Sequence, residues 1–474
     1  MTAVTFKTLP KGALKPGFYG EINTTTGVSG LPVNTQLLLM IGQKVAAGSQ
    51  ASGAAVQIYS AADAATYFGA GSVLHRMALR AFAVSTSIPV WAIAQDDAAT
   101  SAAATATLTI GGTAATAAGT LSVNLGNDIV QVGVQVGDTP TALAARALTQ
   151  ISAQTAWAAT AAVAAGVITF TASNKGTVGN QLSLAATLTD VVGLTAAVVD
   201  FSGGTVDPTL QPTLDAVYNK RFHVIAMQSA TAADLATLKT HLAGVSSAVE
   251  QRGARGYVGI TKGILLADVI TLATGVNQEL VHVLYGPGSV STGYEVAATA
   301  AAIVAAQDDP AVPFDGVELP DVALPPIASR LSRSQQESLL SSGVTPSEVV
   351  DNYLTIVRLV TTRTLTSGTQ DLTLLDTNPM AILFYFRDAV KARFALKYKQ
   401  AKLNARTLAG LRAEALAVAY ELQDAEILQN IDAYKDQFTA TLDPDVVGRA
   451  VLTIPAPIVP GLHQAYARID LLTV

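Results

Sequence analysis

The sequence contains no cysteine among its 474 residues. Disulfide cross-links and thiolate chemistry are therefore excluded, and we expect assembly in a reducing cytoplasm. Aromatic residues make up only 6% of the chain and charged residues 14%, whereas half of it is apolar. A surface so lightly charged is suited to packing against other protein. The formal net charge of −6 argues against nucleic acid as the main partner, because binding phosphate requires a basic field.

The sequence also lacks the patterns that build catalytic or metal sites. Five histidines are scattered along the chain, and none is spaced with a second histidine or an acid as metal ligands are. The glycine-rich turns at residues 69–72 and 286–289 do not complete a phosphate-binding loop, and no Gly-x-Ser-x-Gly elbow occurs. We therefore expect no catalytic residue, no metal site, no cofactor and no enzymatic activity.

Long apolar runs and an export signal are absent as well. The first residues do not combine a charged segment with an apolar run, and the alanine-rich stretch 297–306 is too short to span a bilayer. We expect no membrane partner. A surface-layer or adhesin-like protein would share the composition of this chain but would need an export signal, so that class is disfavoured.

An alternation of strands and helices gives the first positive signal. The apolar run 37–41 is typical of a strand buried on both faces. A helix with Ser60 as its N-cap follows, then a strand at 90–94. The same rhythm returns after Pro208. This pattern predicts an α/β core.

The stretch between residues 96 and 205 interrupts this rhythm. It is rich in alanine, threonine and glycine, almost uncharged, and contains segments of period-two alternation. A low-complexity linker is one interpretation. The alternation, together with a helix start at Thr139 with Pro140 in its first turn, favours a folded β-rich insert. Because the α/β rhythm resumes afterwards, we expect the insert to lie at the outer surface and to be dispensable for assembly.

A basic stretch lies in the last third of the chain. A strand is predicted at 353–365, a long helix from Pro379 towards Leu403, and a second helix at 407–418. The first helix would have an apolar face and a basic outer face. An ordinary solvated surface, a docking site for an acidic partner and, less favoured, a nucleic-acid site are the alternatives. The candidate contacts with an acidic partner are Arg387, Lys391, Lys399, Lys402 and Arg406.

The two ends of the chain alternate like strands without an obvious partner. Residues 461–474 place apolar and polar side chains on opposite faces, and the first residues do the same. Such a strand leaves backbone donors and acceptors unmet unless it joins a sheet, which favours pairing with a neighbouring subunit. The candidate residues for this pairing are Val4, Phe6, Tyr466, Arg468, Ile469 and Leu471.

Four segments, taken in order, carry a family resemblance: residues 16–19 (PGFY), 67–77 (YFGAGSVLHRM), 357–364 (VRLVTTRT), and the basic helix with the terminal strand. The sequence resembles the tail sheath proteins of contractile bacteriophages, in particular the Mu-like branch. The likeness extends over nearly the whole chain and is weakest in the insert.

The resemblance implies a structural subunit that polymerises as stacked hexameric rings around a tail tube and contracts to drive the tube through the host envelope for genome delivery. It implies further partners, the baseplate and tail terminator proteins, a place in the virion tail and assembly in the host bacterial cytoplasm. Neither nucleic acid nor a membrane is expected as a partner. The alternative is the sheath of a phage-tail-like bacteriocin or other contractile injection particle.

The fold prediction is therefore a multi-domain α/β protein with extended strand arms at both ends. Its parts are an N-terminal linking arm (1–30), an α/β sheath core (31–95 plus 206–330), an inserted β-rich surface domain (96–205), a C-terminal α+β domain facing the tube (331–460) and a C-terminal linking strand (461–474).

Overall fold

The computed structural model describes residues 30–471. Val4 and Phe6 lie outside the described residues. The chain divides into a large unit, residues 34–384 with 460–474, and a small unit, residues 1–33 with 385–459.

Strands and helices alternate through most of the described chain. The strands are β1 (Leu38–Gln43), β2 (Ala55–Ile58), β3 (Val90–Gln95), β4 (Thr105–Ala117), β5 (Gly119–Leu125), β6 (Asp128–Val134), β7 (Ala159–Ala164), β8 (Val167–Ala172), β9 (Leu184–Thr189), β10 (Val192–Ser202), β11 (Val224–Met227), β12 (Arg255–Ile260), β13 (Val281–Tyr285), β14 (Thr345–Val350), β15 (Tyr353–Ile356), β16 (Leu365–Thr366), β17 (Thr369–Gln370), β18 (Thr439–Leu442) and β19 (Ala450–Thr453).

The helices are α1 (Ala61–Phe68), α2 (Val73–Val84), α3 (Pro140–Ser152), α4 (Gln211–Val217), α5 (Ala232–Ser246), α6 (Leu266–Val276), α7 (Gly293–Ala306), α8 (Arg333–Ser341), α9 (Asn378–Lys397), α10 (Ala405–Asp424) and α11 (Ile431–Tyr434). Among the described residues, no helix is both long and apolar enough to cross a membrane. The mixed α/β class predicted from the sequence is confirmed.

An eight-stranded sheet forms the core of the large unit, in the order β15-β14-β13-β12-β11-β1-β3-β2. The six strands from β14 to β3 in this order run parallel, and an antiparallel strand closes each edge. Every residue of β1 is buried, because helices cover both faces of the sheet. Helix α7 is buried on almost every side, which suits its alanine-rich sequence.

Residues 105–202 fold into two antiparallel sheets and one helix. One sheet has the order β10-β4-β8-β7, the other β6-β5-β9, and α3 packs beside them over a separate apolar core. Thr139 caps α3 as expected, its hydroxyl accepting from the N–H of Ala142. This stretch is folded, so the linker interpretation is wrong.

Two element predictions differ from the structure. The strand expected at 353–365 ends at Ile356, because threonines beyond it bond to loop backbone: Thr361 to Leu374 O at 2.7 Å and Thr362 to Gln278 O at 3.0 Å. The helix expected to reach Leu403 ends at Lys397. Strands β14 and β15 join the large sheet, although the sequence division placed them in the C-terminal part. The domain boundaries themselves stay predictions.

Candidate interaction surfaces

A helical hairpin of α9 and α10 carries the basic candidates in the small unit. Residues 398–404 connect the two helices, which run in opposite directions: Arg393 pairs with Glu421, and Lys397 pairs with Glu414. Asn404 caps α10 by accepting from the N–H of Thr407 at 2.9 Å. These bonds hold the connecting loop in a defined conformation.

One cation of this stretch faces inward. The Arg393 side chain is only 6% exposed, and its guanidinium lies 2.7 Å from Glu421 and 3.5 Å from Glu414. The hydrogen bond to Glu421 raises the pKa of Arg393 above its ordinary value. Lys397 is bound to Glu414 at 2.6 Å. These two cations join the helices to each other.

The other cations point to solvent. Lys399 and Lys402 lie in the connecting loop and Arg406 in the first turn of α10; we call these three residues the basic tip. Lys391 is exposed on α9. In the described part of the chain, no carboxylate pairs with any of these four side chains. Arg387 is set apart, half-buried on α9 with its Nε 3.9 Å from Asp388.

The position of Arg406 in the first turn of α10 does not stabilise that helix. A cation in the first turn of a helix faces the positive end of the macrodipole, which costs about 0.3–1 kcal/mol. No described carboxylate offsets this cost. The basic tip is therefore a surface whose charge is uncompensated within the described subunit.

The small unit also contains an isolated β-hairpin. Strands β18 and β19 pair with each other in antiparallel register, Thr439 opposite Thr453, and form a two-stranded sheet among the described residues. Leu442 and Val451 are exposed. A two-stranded hairpin is marginal in water and leaves unmet backbone groups at its edges.

The predicted terminal strand has no partner in the described subunit. Residues 461–471 form no strand there, and Tyr466, Ile469 and Leu471 are 88–94% exposed. Arg468 bonds only to Asp470, two residues away. A strand exists only when paired, so the inter-subunit role of these residues stays a prediction.

Sequence reasoning missed a buried charge cluster in the large unit. Arg76 lies 2.7 Å from Glu295 and also bonds to Asp128, and Arg80 contacts Glu295 and Asp321. Burial lowers the pKa of Arg76, but the carboxylates of Glu295 and Asp128 outweigh this and raise it. Two arginines four residues apart in an otherwise apolar helix were the available signal, since they share one helix face.

Asp128 belongs to the inserted sheets, so this cluster joins the insert to the core. Further polar contacts do the same. Asn174 accepts from the N–H of Val73 at 3.0 Å, at the start of α2, and Gln181 accepts from the N–H of Gly293 at 3.0 Å, at the start of α7. The insert is therefore attached through buried polar groups in addition to its two chain connections.

Comparison with known proteins finds similarity to one family. Residues 203–362 match the model of the phage tail sheath protein central domain. The Mu-like prophage FluMu tail sheath protein of Haemophilus influenzae is 29% identical over 459 residues, covering 93% of each chain. The chain is similar to phage tail sheath proteins, both in its central part and over most of its length. The family resemblance inferred from the sequence is confirmed.

Solved structures of sheath proteins share the fold. The sheath tail protein of Desulfitobacterium hafniense matches with a TM-score of 0.52 at 14% identity, covering 94% of this chain and all of that one. A chain of the anti-feeding prophage baseplate in its contracted state matches with a TM-score of 0.51 at 11% identity, covering 97% and 99%. The likeness spans the insert and both units.

The similarity to sheath proteins indicates a structural component of a contractile tail and not an enzyme. Among the described residues, no group of three or more histidines and acids could hold a metal ion.

Proposed function

We propose that this sheath protein assembles as stacked hexameric rings around a tail tube and contracts to drive the tube through the host envelope. The observation that carries this proposal is the exposed terminal segment, which alternates like a strand yet has no partner in the described subunit. The baseplate and tail terminator proteins would bound the assembly, which would form in the host bacterial cytoplasm. The genome would pass through the tube.

The arm would pair with the β18–β19 hairpin of a neighbouring subunit. The hairpin offers open edges, and each backbone hydrogen bond to an added strand contributes about 1 kcal/mol net. Backbone pairing depends on local geometry alone, so the link can persist while subunits rotate during contraction. This property suits a lattice that shortens without breaking.

Cysteine cross-linking tests the pairing, because the natural chain has no cysteine to interfere. Ile469→Cys combined with Val451→Cys should give cross-linked oligomers when tubes form and none in dilute subunits. The matched control is Ile469→Cys with Thr160→Cys, which moves the second cysteine to an exposed site on the insert. Equal cross-linking in both pairs would contradict the proposed acceptor. Truncation after Gln464 should leave a folded subunit that forms no tubes; normal tubes from this variant would contradict a linking role for the arm.

The basic tip, together with Lys391, would contact acidic groups on the tail tube. Exposed ion pairs contribute at most about 1 kcal/mol each and leave little apolar surface bare when they separate. Such contacts would bind the tube before contraction and allow it to separate during contraction. They should weaken as salt rises, because exposed charges are screened.

Charge reversal tests this contact. Lys399→Glu with Lys402→Glu should abolish assembly on purified tubes at low salt. Lys435→Glu with Lys175→Glu changes the net charge equally at exposed lysines elsewhere and should leave assembly intact. If both pairs assemble alike, the basic tip is an ordinary solvated surface. Arg387, being half-buried, is the weakest of the five candidate contacts.

The alternative is the sheath of a phage-tail-like bacteriocin or other contractile injection particle. The likeness to a chain of the anti-feeding prophage baseplate fits this alternative equally, since the fold is shared. Purified native particles distinguish the two. Nuclease-protected DNA in a head attached to the tail supports genome delivery, whereas headless particles without DNA support the alternative.

A further inference from the structure

The root of the terminal arm is fixed at one acidic site on the large unit. We call Asp315 and Asp376 the acidic notch. His463 Nδ1 bonds to the carboxylate of Asp315, and His463 Nε2 lies 3.3 Å from Oδ2 of Asp376. The imidazole is 16% exposed. Both ring nitrogens therefore face carboxylate oxygens in a partly desolvated site.

The notch is held in place independently of the arm. Arg358 forms a bidentate ion pair with Asp376, in which Nε and Nη2 each lie 2.8 Å from a carboxylate oxygen. Asp315 and Glu337 also act electrostatically on Arg358. In the described part of the chain, Asp315 has no ion-pair partner other than His463. The charges around the imidazole are thus two facing carboxylates, with one guanidinium and one further carboxylate behind them.

The backbone of the arm is shaped around the ring. A Cβ at Gly461 would lie 2.9 Å from Cε1 of His463 and 3.1 Å from Cβ of Pro313. A larger residue would push the imidazole out of the notch. Glycine at this position allows the chain to fold tightly over the ring.

Beyond His463 the described arm has no further attachment. The side chains of residues 464–471 are exposed, and their hydrogen bonds join them only to one another: Tyr466 to Gln464, and Arg468 to Asp470. His463 is therefore the last residue in the described chain that ties the arm to its own subunit.

The protonation state of the ring decides the strength of this tie. A neutral imidazole has one N–H donor and one bare lone pair, so it can donate to only one carboxylate and repels the other. The imidazolium donates from both nitrogens and satisfies both carboxylates. Loss of the proton breaks one of the two contacts and turns it into a repulsion.

We propose that His463 is a protonation-dependent anchor that positions the terminal arm, holding its exit point when protonated and freeing it when neutral. This inference rests on the proposed function in one respect: the arm that His463 positions is the arm that would link subunits. When His463 is bound to the acidic notch, the arm leaves the subunit in a fixed direction. When this contact is lost, the direction of the arm varies.

A single dye reports the state of the arm in full-length, unassembled subunits. Ala465→Cys, two residues past the anchor and exposed, can be labelled uniquely in this cysteine-free chain. The fast component of the fluorescence anisotropy decay should increase when the pH rises from about 5.5 to about 8. Burial lowers the pKa of His223, His241 and His282 to about 3, 4 and 3, so these histidines stay neutral throughout.

Two variants separate the anchor from a general effect of pH. His463→Ala should show the large fast component at both pH values, and His463→Arg, a permanent cation, the small one at both. A natural chain whose decay does not change with pH, or a His463→Arg chain that still changes, would overturn the proposal. Tube formation by the arm truncation is a separate measurement, so failure of the linking role is distinguishable from failure of the anchor.

Discussion

Two charged regions of this protein use the same residue types in opposite ways. At the junction of insert and core, Arg76 and Arg80 are buried around Glu295, which is itself 3% exposed. At the basic tip, Lys399, Lys402 and Arg406 are exposed and have no described carboxylate partner. A buried charge must be compensated inside the subunit, whereas an exposed one remains available to a partner. Burial, and not the number of charges, separates these two regions.

Removal of the insert should have the largest effect. Replacing residues 98–205 with a short Gly/Ser linker removes Asp128 from Arg76, the Asn174 acceptor from the first N–H of α2, and Gln181 from the start of α7. We therefore expect loss of the soluble, folded core, the opposite of the dispensability that the sequence predicts. Soluble yield and urea unfolding measure this outcome. A cooperative transition at the natural midpoint would show that the junction is not required.

Glu295→Gln should destabilise the subunit by about 3–5 kcal/mol, because two buried guanidinium groups lose their shared carboxylate. The matched control is Asp321→Asn, which removes a carboxylate that is 64% exposed from Arg80 and should cost no more than about 1 kcal/mol. Denaturant midpoints of the two variants give the comparison. Equal losses would mean that burial does not distinguish these partners.

Within the hairpin, Arg393→Gln should cost about 1.5–3 kcal/mol, since Glu414 and Glu421 lose a charged hydrogen-bond donor. Lys391→Gln, two residues earlier and exposed, should stay within about 0.5 kcal/mol of the natural protein. The same urea titration measures both. A large loss for Lys391→Gln would place an unrecognised structural contact on the outer face of α9.

Acid should weaken the large unit selectively. Burial depresses the pKa of His282 in the folded state to about 3, below its ordinary value of 6.5. Below pH 6.5 the unfolded chain binds a proton at this position that the folded chain does not, so His282 alone lowers the free energy of unfolding by about 1.4 kcal/mol per pH unit as pH drops towards 3. None of the five histidines lies in the small unit.

His282→Phe keeps the stacking on Tyr257, where the ring centroids are 4.5 Å apart, and removes the titration. Its unfolding free energy should fall less steeply between pH 6.5 and 4.5 than that of the natural protein. Identical slopes would assign the acid sensitivity to other groups.

Local sequence signals predicted structure correctly where the structure depends on residues within one helical turn or one strand. Ser60 caps α1, Thr139 caps α3, and Ser332 starts α8 with a capping box to Gln335. The apolar run at β1 is buried on both faces as expected. These features depend on residues three or four positions apart, so the sequence alone contains their cause.

Features that depend on partners far away in the sequence could not be predicted from it. The threonines after Ile356 bond to loops elsewhere in the chain and end the predicted strand early. Arg393 and Lys391 stand two residues apart on one helix, yet only the first meets acids from α10. The local sequence pattern does not distinguish these two residues, because the acids that pair with Arg393 come from α10.

The sequence by itself indicated the resemblance to sheath proteins, the α/β class and the folded insert, because each depends on short-range periodicity or on segments in a fixed order. Only the tertiary structure decided which charges are buried. Arg76 meets Glu295 from 219 positions away, and His463 meets Asp315 from 148. Such pairs form when the fold brings distant residues into one desolvated site, where a charge must find its partner or remain in water.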